Sequence, residues 1–135
     1  HLLHLVRERT ASKTVLVVTH YFEEIAGWAS KILMLDKGNV VFWGAIDSFK
    51  EQYRHQGVIL VSQEDSLLLS QDTDFSDVPS IRQYEGALCA VILEDEDRLR
   101  RAEHFLRERE ISYTLRPPDF YSMYRYAQER GGKRA

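Results

Sequence analysis

Apolar residues recur along this chain in blocks whose rhythm changes from one block to the next, and each rhythm implies an element. Leu2, Leu3, Leu5 and Val6, followed by the polar stretch Arg7 to Lys13, read as the last turns of an amphipathic helix running into a loop. Thr14 to Thr19 (TVLVVT) is an unbroken β-branched and apolar run. That is the pattern of a strand buried on both faces of a mainly parallel sheet. It ends at His20, and Phe22, Ile25 and Ala29 then share one face of a helix expected over Tyr21 to Ala29, with Thr19 placed to cap it. Ile32 to Leu35 and Val40 to Trp43 flank Asp36-Lys37-Gly38-Asn39, a hairpin in which Gly38 supplies a positive φ. Gly44 breaks the second strand, and Ile46 to Tyr53 follow as a short helix.

Beyond a boundary at Arg54 to Gly57 the rhythm starts again. Val58 to Val61 and Ala87 to Leu93 read as strands, and the acidic stretch between them, Gln63 to Asp77, has no assignable period. Glu96 to Arg109 carries Leu99, Ala102, Phe105 and Leu106 on one helical face. Ile111 to Leu115 is a third strand, closed by Pro117 and Pro118. Asp119 to Glu129 forms a last helix, with Phe120, Met123, Tyr124 and Ala127 at helical spacing and a frayed tail from Gly131 to Arg134. Tyr121, Tyr124 and Tyr126 read as core and rim of that helix rather than as a partner-binding face.

Composition narrows the class. With 135 residues, 44% apolar and 29% charged, the chain is of a globular kind. The formal charge of -3 lacks the basic excess of a general nucleic-acid binder. The single cysteine, Cys89, lies in an apolar run and reads as a small buried hydrophobe in a reducing compartment. No run approaches the roughly 20 apolar residues that cross a bilayer. His1 and His4 have helical spacing but no further ligand within sequence reach, so a metal site there is not expected. The chain begins at His1 with a helical pattern already under way, as expected of a piece of a longer protein.

The segment Thr14 to Phe49, TVLVVTHYFEEIAGWASKILMLDKGNVVFWGAIDSF, resembles the part of ABC transporter ATPases that runs from the last core strand through the switch-histidine loop. A buried strand ending in Thr-His, a helix bearing Glu-Glu, an Asp-x-Gly hairpin and a Gly before a short helix occur in that order. The sequence departs from the family pattern at Ser30, where an Asp commonly precedes the basic residue, and at the bulky Phe42 and Trp43.

The resemblance implies an α/β fold: the C-terminal part of a P-loop NTPase (ABC ATPase) core, residues 1 to 54, followed by a small α+β accessory domain, residues 55 to 135, of the kind appended in export-type subunits. It implies that His20 is both the catalytic and the cofactor-binding residue, placed beside the γ-phosphate of ATP, with Mg2+ serving the intact protein. It further implies a transmembrane permease and a second ATPase subunit as partners, at the cytoplasmic face of the membrane. No G-x-x-x-x-G-K-[ST] loop, Ser-Gly-Gly signature or acidic catalytic strand occurs in the chain. The chain alone is therefore expected to bind ATP poorly and hydrolyse none. A stand-alone regulatory or small-ligand-sensing α+β module that docks onto another ATPase is the alternative reading.

Overall fold

The computed structural model describes residues 13–132, with side chains described up to Arg130. The expected helical turns over Leu2 to Val6, the His1 and His4 pair, and Lys133 and Arg134 lie outside the described residues.

Among the described residues, five helices and six strands succeed one another as α1 (Phe22–Ala26), β1 (Lys31–Asp36), β2 (Asn39–Ala45), α2 (Ile46–Gln52), β3 (Gly57–Ser62), α3 (Gln63–Gln71), β4 (Ser80–Glu85), β5 (Leu88–Leu93), α4 (Glu96–Glu108), β6 (Thr114–Arg116) and α5 (Phe120–Gly132). β1 and β2 form an antiparallel hairpin by themselves. Its two-residue turn puts both Lys37 (φ 50°) and Gly38 (φ 79°) in the left-handed region, the tight geometry that matches strand twist. The other four strands form one sheet in the order β4-β5-β3-β6, each neighbour antiparallel. Strands and helices alternate there as βαββαβ, with β5 inserted between β3 and β4, which is the split β-α-β arrangement of ferredoxin-like units.

The fold is thus mixed α/β, and every strand pairing among the described residues is antiparallel. This departs from the expected strand over Thr14 to Thr19 within a mainly parallel sheet. That run joins no sheet, and Leu16 and Val18 are 89% and 92% exposed. The physical reason is that a strand needs hydrogen-bonding neighbours on its edges. No strand of either sheet takes it as a partner.

The acidic stretch opens with a helix that follows from local capping rather than from helical periodicity, and a strand comes after it. Ser62 Oγ accepts from Asp65 N (3.1 Å) and donates to Asp65 Oδ2 (2.8 Å), a capping exchange that starts α3. The strand β4 then pairs with β5 through a bulged register between Ile81 and Glu85, where Gln83 takes φ 53°. The third expected strand is shorter and later than its pattern, Thr114–Arg116 in place of Ile111 to Leu115, because Ile111 packs beneath α4 instead of entering the sheet.

Both faces of the four-stranded sheet are covered. On one, Ile59, Val61, Val91 and Leu93 pack against Leu69 of α3 and against Ala102, Phe105 and Leu106 of α4. On the other, Val58, Leu60, Ala90 and Ile92 meet Phe120, Tyr126 and Ala127 of α5. The second cluster continues without a break into Ile32, Met34, Ile46, Phe49 and Tyr53. Packing therefore runs across the expected boundary at residues 54 and 55. Phe49, fully buried, has its ring centroid 5.1 Å from that of Phe42, 5.0 Å from that of Tyr53 and 5.4 Å from that of Phe120.

A buried polar contact sits at that junction. His55, 2% exposed, lies with Nδ1 3.0 Å from Tyr53 O and Nε2 2.9 Å from Ser122 Oγ. Neutral imidazole satisfies both contacts by donating from Nδ1 and accepting at Nε2. Burial lowers the His55 pKa, against the opposing pull of the Tyr53 carbonyl, Asp119 and Glu94. Tyr126 donates to Glu94 nearby, and burial together with that carboxylate pushes its phenol up to about 12.

Candidate functional site

Thr19 and His20 lie where the exposed apolar run meets α1. Thr19 Oγ1 accepts from Tyr21 N (3.0 Å), which turns the chain at His20. Thr19 therefore does not cap the helix as expected: the N-cap is Tyr21, which makes no side-chain cap, and the Thr19 contact lies one residue before the helix begins. The turn leaves His20 exposed, with its ring tilted against that of Tyr21 at 4.3 Å between centroids.

Helix α1 is a short platform that buries none of its own residues fully. It holds its place by contacts at both ends. At its start the Phe22 ring stacks on Tyr124 of α5 at 4.4 Å, and Glu23 Oε1 accepts from Tyr121 N of α5 at 3.0 Å. At its end Lys50 of α2 donates Nζ to Ala26 O at 3.1 Å, satisfying a carbonyl that the helix itself leaves open. Gly27 stops the helix after five residues, shorter than the span the apolar spacing suggests.

An open groove of about 430 Å³ is lined by His20, Tyr21, Phe22, Glu23, Glu24 and Tyr121. Chemically it offers one imidazole, an aromatic wall and two carboxylates. An anion such as a terminal phosphate can take one hydrogen bond from the His20 ring there. The lining includes no cationic side chain. Among the described residues no group of three or more His, Cys, Asp or Glu is arranged to hold a metal ion. The His20 ring can give an anion one hydrogen bond, and the groove's described lining, with two carboxylates, does not by itself form a cradle for a phosphate chain.

A second hollow, about 360 Å³, lies between α3 and the β4-β5 hairpin, lined among others by Ser66, Ser70, Ser80, Arg82 and Cys89. Its hydroxyls are already engaged. Ser66 and Ser80 pair at 2.8 Å, and Ser70 donates to Leu67 O at 2.7 Å. Cys89 is buried at its floor, as its apolar neighbours in sequence imply. The tyrosines of α5 also take the places their spacing assigns: Tyr126 is buried, while Tyr121 and Tyr124 are half-buried against Phe22 and Tyr84.

The contacts of Glu23 and Phe22 with α5 join residues 98 and 102 positions apart, so sequence reading could place neither. The one local signal was the Glu-Glu pair itself, which reads in sequence as a solvated, dipole-complementing face. It complements a helix dipole, but Glu23 does so for α5 rather than for α1 alone. Among the described residues no helix is long and apolar enough to cross a membrane. The chain matches no protein-family model, no curated protein and no solved structure.

Proposed function

We propose that this chain is the C-terminal part of the ATP-binding subunit of an ABC-type exporter, with His20 contacting the γ-phosphate of ATP in the intact protein. The observation that carries the reading is the ordered series over Thr14 to Phe49: the Thr-His end of an apolar run, the Glu-Glu helix, the Asp-Lys-Gly hairpin and the Gly before a short helix. Its geometry is compatible with that role, since His20 is exposed at the start of α1 with an open groove beside it.

Unsatisfied surfaces support the same reading. Leu16 and Val18 stand in water, and on the hairpin Leu33 pairs with Trp43 and Leu35 with Val40, all four more than half exposed. Apolar surface left bare on the run and on the hairpin is consistent with a larger core that would cover it. In this reading the missing core supplies the Gly-rich loop whose backbone N–H groups and Lys hold most of the nucleotide, along with Mg2+. His20 then adds one preorganised donor to the charge that builds on the γ-phosphate oxygens. The βαββαβ unit is the accessory domain, and a transmembrane permease and a second ATPase subunit are the partners.

The test is ATP turnover by a protein extended upstream to include a phosphate-binding loop. His20→Ala should lower kcat roughly a hundredfold, the usual loss of one such donor. Unchanged turnover, or an upstream coding sequence that encodes no G-x-x-x-x-G-K-[ST] loop, would refute the assignment.

A further inference from the structure

We infer that Glu23 is a positioning residue for His20, through which the last helix of the chain, α5, controls where the histidine loop sits. The inference builds on the proposed role of His20 and names a regulation of that same site.

Three facts carry it. First, α1 has no buried residue of its own and is only five residues long, far below the length at which a helix is stable in isolation. Its shape must come from what it touches. Second, its N-terminal residues reach α5: Phe22 stacks on Tyr124 with its centroid 4.4 Å away and lies 6.3 Å from Tyr121, and Glu23 accepts from Tyr121 N. Third, α5 has a backbone donor to offer there. Asp119 precedes the helix and takes Ser122 N at Oδ1 (2.7 Å), while Ser122 Oγ returns a contact to Asp119 N (3.0 Å). This reciprocal cap satisfies the donor of the third helical residue and leaves Tyr121 N open. Glu23 fills the gap from 98 residues away, placing a carboxylate at the positive end of the 13-residue helix.

The contact is reciprocal, so displacing either partner loosens the other. α5 in turn is fastened to the βαββαβ sheet through Phe120, Tyr126 and Ala127, and to the hairpin turn through Gln128 Nε2 donating to Asp36 Oδ1 (3.2 Å). Any shift of α5 on that sheet pulls on Glu23, three residues from His20. The exposed neighbour Glu24 has no such bond and provides a matched control for charge.

The experiment compares the full chain with Glu23→Ala, Glu23→Gln and Glu24→Ala by amide hydrogen exchange and by the NMR signals of the His20 ring, with no nucleotide present. Glu23→Ala should speed exchange across α1 and at Tyr121 N roughly tenfold, as expected for loss of a charge-assisted hydrogen bond, and should move the His20 ring signals. Glu23→Gln keeps an oxygen acceptor and should restore most of the protection. Glu24→Ala should do neither. Equal effects of Glu23→Ala and Glu24→Ala, or no change in α1 and the His20 ring with Glu23→Ala, would overturn the inference. Because nucleotide is absent, this outcome is separate from the turnover test: failure of His20→Ala to affect hydrolysis would remove the proposed activity and leave the coupling of α5 to the loop in place.

Discussion

Replacing His55 by Asn turns the buried junction between the hairpin and the βαββαβ unit into a measurable pH dependence. In the fold the imidazole is 2% exposed, and burial disfavours its protonated form and holds its pKa below the ordinary value, against the opposing pull of Tyr53 O, Asp119 and Glu94. In the unfolded chain the same ring titrates near about 6.5. The unfolded state therefore binds the proton first. Stability from this site is fully present above that value, and it is lost as the pH falls below it, until the folded imidazole itself takes a proton. For a ring that stays neutral in the fold, the loss between pH 7.5 and 5.5 reaches about 1.3 kcal/mol, close to one proton's linkage over one unit.

Asn preserves a donor toward Tyr53 O and does not titrate. Its packing defect is a constant offset, and carboxylate titrations elsewhere cancel between the two proteins. Urea denaturation followed by circular dichroism at several pH values would read the difference. The wild-type midpoint should fall further than that of His55→Asn over this range, by up to roughly 1 M of urea for a slope of about 1–1.5 kcal/mol per M. Parallel pH profiles for the two proteins would refute the assignment of a buried neutral histidine.

Phe49→Ala should destabilise the protein by about 3–5 kcal/mol, because the ring is fully buried among Phe42, Tyr53 and Phe120. Since that cluster spans residues 32 to 127, exchange protection in β3 and β5 should fall together with that of the hairpin; loss confined to the hairpin would show that the two parts unfold separately. Asp95→Ala removes the oxygen that accepts from Arg98 N at 2.7 Å and caps α4, and should cost about 1 kcal/mol in thermal or urea unfolding, with no change meaning that water caps the helix equally well.

Much of the local structure was legible in the sequence because its causes are local. Gly38 in Asp-Lys-Gly-Asn dictates the hairpin turn, and the spacing of Leu99, Ala102, Phe105 and Leu106 dictates a helix with a single buried face. His20 could be singled out, since its signal is the order of motifs around it. By contrast, α3 carries Leu67, Leu68 and Leu69 in succession, which gives no period, and only the Ser62 to Asp65 capping exchange marks its start. β4 was hidden because its bulge at Gln83 breaks the alternation that reveals a strand.

What the sequence determined by itself is therefore where elements begin, turn and expose a face, because those choices depend on neighbours within a few residues. Tertiary structure alone decided which faces meet. It put β5 between β3 and β4, left Thr14 to Thr19 without a sheet, buried His55 against Ser122 sixty-seven positions away, and gave Glu23 the open N–H of Tyr121. Such pairings arise from closing the chain on itself, where the gain of burial and hydrogen bonding must exceed the entropy lost in bringing distant residues together, and no short window of sequence carries that balance.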